Sequence, residues 1–247
     1  MKIAVLVLYN IWAYFSFFFL AAVGVPWYLI VLLFRLPGKY FYLYSRIWAK
    51  VWTRLVFIRC EVKGKEHIRK DQSYVIVCNH QSVADLFIVA YALEMDYRPL
   101  GKEGLKKIPI LGYLFAKALI FVKRGDQESR RASVGVLKET IQSGISVLIF
   151  PEGTRNRTGK PLKDFYSGAF RISTETDTPI LPMLITNTME ITPQDSVLGR
   201  PGTIHCEFLP PVEPKGKDYK TLQNELFDLM WKYVDKHDSV LGSVDKK

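Results

Sequence analysis

Between Ile3 and Phe34 the chain carries no charged residue, and only Asn10 and Ser16 are distinctly polar. A run this apolar has to be withdrawn from water. As one straight helix at about 1.5 Å per residue it would reach roughly 48 Å, against a bilayer hydrocarbon core of roughly 30 Å, so a single straight span is a poor fit. Gly24 and Pro26 stand about two-thirds along the run. A permissive backbone and a missing N–H favour a kink or turn there, so the run predicts a bent helix or helix pair embedded in a membrane. A cleaved signal peptide fits less well, because the run far exceeds the usual apolar core of about 7–15 residues and no small-residue cleavage site precedes a polar start.

Residues 40–58 read YFYLYSRIWAKVWTRLVFI, with Arg46, Lys50 and Arg54 at every fourth position and Tyr44, Ile47, Trp48, Val51 and Leu55 opposite. That is a helix with a basic stripe and an aromatic face. It could pack on a catalytic core as an ordinary amphipathic helix. Its place directly after an apolar anchor favours the headgroup layer instead, with Trp48 and Trp52 at interface depth.

The net charge of +10, from 34 Lys and Arg against 24 Asp and Glu, suits nucleic acid, anionic lipid or a phosphorylated substrate. Basic residues follow the apolar run at Arg35, Lys39, Arg46, Lys50 and Arg54, whereas only Lys2 precedes it. The asymmetry puts the bulk of the chain on the cytoplasmic face of the cell membrane, and no nucleic-acid motif supports that rival. Cys60, Cys78 and Cys206 lack zinc spacing and do not form an even set, which implies a reducing compartment and no metal. His67, His205 and His237 are likewise isolated.

The 247 residues allow one globular domain and an accessory segment. Residues 1–60 are expected to form the anchor and interface helix, and 61–247 an α/β domain. In the latter, β-rich runs at 57–62, 74–78, 97–101, 119–123, 145–150, 180–185 and 203–209 alternate with helical stretches at 83–94, 105–118, 128–143, 168–176 and 219–236. Such alternation implies a mostly parallel central sheet flanked by helices, with sites where strands end in loops.

Three of those strand ends carry polar clusters. Asn79-His80-Gln81-Ser82-Val83-Ala84-Asp85 follows the apolar strand YVIVC. On one helix His80 and Asp85 would stand roughly 140° apart, so they can meet only if His80 sits in the strand-to-helix loop and Asp85 projects back from the first turn. The carboxylate would then fix the imidazole tautomer and leave the other nitrogen as a base. A histidine near an aspartate is more often structural than catalytic, so the pair needs support. FPEGTR at 150–155 brings a glycine that lets a ligand approach closely and, in Arg155, a fork suited to phosphate; a turn with a surface salt bridge is the plainer reading. FVKRGD at 121–126 brings further cations to a third strand end.

Together with TPILPM at 178–183, these blocks resemble the glycerolipid acyltransferase family in order and approximate spacing, over roughly residues 60–210. In size and anchor the chain looks like the bacterial members that acylate lysophosphatidic acid. Lys123 departs from the Asp or Glu of many relatives. The resemblance implies that His80 is the general base for the sn-2 hydroxyl and that Asp85 orients it. It implies further that Arg124, Glu152, Gly153 and Arg155 bind the glycerol phosphate, with Lys102 a further phosphate or oxyanion contact, and that Pro182 shapes the acyl-donor side. The acyl donor would be acyl-CoA or acyl-carrier protein, with no cofactor. A thioester carbonyl is already activated, so direct transfer needs only a base, alignment and donors to the oxyanion. For an acyl-enzyme, Cys78 and Ser82 are the only nearby nucleophiles, and strand packing and helix capping explain them better. A serine or cysteine lipid hydrolase would need a G-x-S-x-G elbow, which is absent; a lipid-binding scaffold would have no use for the His80 and Asp85 pair.

Overall fold

The computed structural model of the chain describes residues 3–107, 111–122, 127–193 and 196–237. Its strands are β1 (Ile58–Lys63), β2 (Val75–Cys78), β3 (Tyr97–Lys102), β4 (Ile120–Val122), β5 (Ser146–Ile149), β6 (Ile180–Thr186) and β7 (Gly202–Phe208). They form one sheet in the order β1-β7-β6-β2-β5-β3-β4, parallel throughout except where β6 meets β7. The helices are α1 (Ile3–Leu33), α2 (Gly38–Leu55), α3 (Ala84–Ala92), α4 (Leu111–Ala118), α5 (Gln127–Gln142), α6 (Gly168–Thr176), α7 (Thr188–Ile191) and α8 (Tyr219–His237). The helix expected over 105–118 opens instead with a 3₁₀ turn at Glu103–Lys107, and its middle lies outside the described residues.

The central strands read as unbroken apolar runs because both faces are covered. Ile76, Leu148, Leu181 and Met183 point to one layer, where they pack with Ile88 and Val89 of α3 and Tyr42 of α2. Val75, Val77, Val147 and Ile149 point to the other, against Leu137, Phe170, Leu226 and Met230 of α5, α6 and α8. The strands β2 and β5 are neighbours near the middle of the sheet, so the loops at their carboxyl ends open side by side.

Helix α1 runs unbroken through Gly24 and Pro26, so the turn comes after the apolar run and the helix pair is α1 with α2. Gly24 has a packing reason: the Tyr44 ring lies on it, and an added Cβ would stand 2.3 Å from the ring. Tyr44 Oη donates to the Leu20 carbonyl at 2.8 Å, Trp27 Nε1 to Tyr40 O at 3.0 Å and Trp12 Nε1 to Leu55 O at 2.8 Å. Away from α2 the helix leaves Phe15, Phe18, Phe19, Leu29 and Ile30 exposed. It is long and apolar enough to cross a membrane. Trp48 and Trp52 pack with Phe17 of α1 and Phe87 of α3 at ring centroid distances of 5.0 to 5.5 Å.

The C-terminus of α1 closes with a Schellman turn, in which Leu36 N–H bonds Val31 O at 2.9 Å and Arg35 N–H bonds Leu32 O at 3.2 Å. The left-handed residue of that turn is Arg35, at φ 49°, where glycine is the usual occupant. A side chain there costs on the order of 1 kcal/mol.

Gly24→Val should push α2 off α1 without touching the sheet. Limited proteolysis at the 34–37 turn should speed up severalfold, while the core melts cooperatively as before; unchanged cleavage would mean that the Tyr44 contact does not hold the pair.

Candidate active site

Chain direction at the end of β2 is set by Asn79, whose fully buried amide pairs with the β6 backbone: Nδ2 donates to Ile185 O and Ile185 N–H donates to Oδ1, both at 2.8 Å. The next residue, His80, therefore leaves the sheet in a fixed direction. Its Nδ1 lies 2.8 Å from Oδ2 of Asp85, which sits in the first turn of α3. The same carboxylate oxygen accepts from the N–H groups of Gln81 at 2.7 Å and Ser82 at 2.8 Å. Asp85 is fully buried, whereas the His80 side chain keeps 16% exposure. The ring stacks on Phe150 with centroids 4.3 Å apart. Nδ1–H donating to Asp85 leaves the lone pair on Nε2, the nitrogen with no partner among the described residues.

The loop after β5 locks onto the same histidine. Glu152 Oε1 accepts the His80 N–H at 2.8 Å, Oε2 accepts the Lys163 N–H at 2.9 Å, and Asn156 N–H donates to the His80 carbonyl at 2.7 Å. Glu152 was expected at the phosphate, but it is fully buried with both oxygens engaged, so it braces the site from behind. Burial pushes its carboxyl up to about 7, against the lowering effect of the two backbone donors. Gly153, at φ 68°, turns the chain tightly beneath the Tyr166 ring, which a Cβ would approach to 2.7 Å.

Arg155 and Ser82 line a cavity of about 350 Å³. Its wall is mainly apolar and aromatic, with Phe17 of α1, Trp52 of α2 and Phe87 of α3, and a second cation, Arg200, stands on it. Thr192, Pro193, Ser196, Val197, Gly199 and Arg200 border this cavity. Ser82 Oγ meets Thr192 Oγ1 in a short hydrogen bond at one end. At the other, the buried Asn10 of α1 holds Gly199 on both sides: Gly199 N–H donates to Oδ1 at 2.7 Å and Nδ2 donates to Gly199 O at 3.0 Å. Tyr14 Oη donates to Val197 O.

Lys102 ends β3 and is exposed at the carboxyl edge of the sheet, the edge that bears His80. Arg124 lies outside the described residues. Pro182 is buried within β6, in register with Val77, and belongs to the frame behind the site instead of the cavity wall. Arg200 and the Asn10 clamp escaped sequence reasoning. The available signal was Asn10 itself, an amide in an otherwise apolar helix.

Residues 59–186 match the family model described as Acyltransferase. The chloroplastic 1-acyl-sn-glycerol-3-phosphate acyltransferase of Brassica napus is 32% identical over 169 residues, 67% of this chain and 48% of that protein. The 1-acyl-sn-glycerol-3-phosphate acyltransferase of Limnanthes alba is 30% identical over 198 residues, 76% of this chain and 68% of that protein. This chain spans about half the length of several curated relatives it matches. Among solved structures, the 1-acyl-sn-glycerophosphate (LPA) acyltransferase of Thermotoga maritima superposes with a TM-score of 0.78 at 26% identity, over 96% of this chain and 97% of that one.

Two measurements follow from this geometry. A folded-state pKa of about 7 lies above the ordinary carboxylate value, so the contribution of Glu152 to stability is complete in acid and is lost as pH rises through about 7. Thermal midpoints at pH 5 and pH 8 should therefore fall more for the wild type than for Glu152→Gln, which does not titrate; parallel slopes would show that this carboxyl is already ionised in acid. Asn10→Leu strands both backbone groups of Gly199, at a cost of about 1–3 kcal/mol, and should raise hydrogen exchange across 196–200 while leaving β2 and β5 protected.

Proposed function

The chain belongs to the acyltransferase family, and from that premise we propose that it transfers an acyl group from a thioester to the sn-2 hydroxyl of lysophosphatidic acid, giving phosphatidic acid. The observation that carries this reading is the His80 Nδ1 to Asp85 Oδ2 contact of 2.8 Å, which presents Nε2 at a strand-end loop that shares Ser82 with the arginine-bearing cavity. The names of the relatives supply the acceptor, and the geometry supports the chemistry.

In this mechanism Nε2 of His80 takes the hydroxyl proton as the oxygen attacks the thioester carbonyl. The C–O bond forms, the tetrahedral intermediate collapses with loss of the C–S bond, and the imidazolium returns its proton to the leaving thiolate. Asp85 faces the imidazolium that forms and stabilises it. Its three donors pre-set that charge, so little reorganisation accompanies proton transfer. Arg155 meets the acceptor phosphate, assisted by Lys102 and Arg124, and the apolar cavity takes an acyl chain. Acyl-CoA or acyl-carrier protein serves as the donor, without a further cofactor.

Membrane attachment belongs to the same reading. The exposed apolar face of α1 supports insertion into a membrane, the basic residues that follow it support the cytoplasmic face of the cell membrane, and an amphiphilic acceptor then reaches the cavity sideways without entering water.

His80→Ala should lower turnover by at least about 10³-fold with the fold intact by circular dichroism; substantial transfer would remove the base. The purified chain offered lysophosphatidic acid, glycerol 3-phosphate and lysophosphatidylcholine in parallel, with each donor type, should turn over the first fastest. Faster turnover of either rival acceptor would reassign the substrate. Removal of residues 1–38 should abolish retention on membranes after alkaline wash.

A further inference from the structure

A second cavity, of about 280 Å³, lies where the α1–α2 turn meets the segments that lead into β3 and β5. Catalysis sits at the carboxyl ends of β2 and β5; this cavity, bordered by Asp96 and Ile145, lies at the amino ends. Even the short β5 separates the two by roughly 13 Å. Its wall is of two kinds. Val31, Leu32, Leu36 and Phe41 make it apolar on the side of the α1–α2 turn, and Arg35, Arg98 and Asp96 bring charge. Among the described residues none of these three forms an ion pair, although opposite charges share one small cavity.

Arg35 is an independent sign that something is held here. It occupies the left-handed position of the Schellman turn, where glycine would cost nothing, and a strained non-glycine residue points to a use for its side chain. We propose that this cavity binds the headgroup of a non-substrate, zwitterionic phospholipid: Arg35 and Arg98 hold the phosphodiester, Asp96 meets the ammonium, and the acyl chains follow the apolar face of α1. Two guanidinium groups bracket one phosphate anion well. Asp96 decides the class, because an anionic headgroup would answer the arginines and leave that carboxylate without a cation. A lipid fits better than a soluble phosphodiester, because Leu33 and Phe34 stand exposed beside the turn, at 77% and 71%. The site rests on the reading of α1 as a bilayer segment and asks nothing of His80.

The full chain, reconstituted into vesicles of equal dioleoyl phosphatidylethanolamine and dioleoyl phosphatidylglycerol and then examined by native mass spectrometry, tests it. The wild type should retain phosphatidylethanolamine about tenfold over phosphatidylglycerol. Asp96→Asn should erase that preference, and Arg98→Gln should lower retention of both about tenfold. Arg35→Gly separates binding from folding: it relieves the strained turn, so its thermal midpoint should hold or rise while lipid retention falls. Acyl transfer should stay within about twofold in all three variants. Glycerophosphoethanolamine should displace the lipid only at more than about tenfold higher concentration. Retention unchanged by the variants, phosphatidylglycerol favoured by the wild type, or equal displacement by the chainless headgroup would overturn the assignment. Loss of the wild-type chain from vesicles in an alkaline wash would instead sink the membrane reading, and this one with it.

Discussion

A carboxylate withdrawn completely from water has to be answered by donors, and Asp85 meets that demand with one oxygen that takes the His80 ring and two successive backbone N–H groups. Those amides belong to the residues that turn the chain from β2 into α3. The charge therefore fixes the loop geometry as well as the imidazole: removing it would strand three donors at once. Glu152 repeats the arrangement one strand away, with a buried carboxylate joining the His80 amide to the Lys163 amide. His80 is held at its ring, its N–H and its carbonyl, and Nε2 alone has no partner among the described residues.

Helix α1 and the candidate site form one structure. Asn10 sits in a helix whose outer face is apolar, yet its amide closes both polar groups of Gly199 on the wall of the apolar cavity. Trp52 and Phe17 line that same cavity. The long apolar helix α1 thus supplies one wall of that cavity, so the helix and the space beside the His80 loop are built from the same residues.

Much of the fold was legible because its causes are local. Runs such as YVIVC and SVLIF are β-branched and apolar at every position, so strands and their burial on both faces follow from composition and period. His80 and Asp85 could be named as a pair because a histidine in a loop and an acid in the next helical turn have one way to meet. Glu152 was misplaced for a reason equally physical: a charged residue beside glycine and arginine looks like a ligand contact until its burial is known. The ring partners of Trp48 and Trp52 could not be read from α2 alone, because Phe87 stands on α3, distant in sequence.

Local pattern and residue chemistry by themselves determined the apolar helix, the strand and helix succession, and the meeting of His80 with Asp85, since each depends on neighbours within a few positions. Tertiary structure alone decided which face α2 turns inward, that Asn10 reaches across 189 positions to Gly199, and that Arg155 and Arg200 share a cavity. Those outcomes depend on strand order and crossover packing, which bring together groups that no periodicity links.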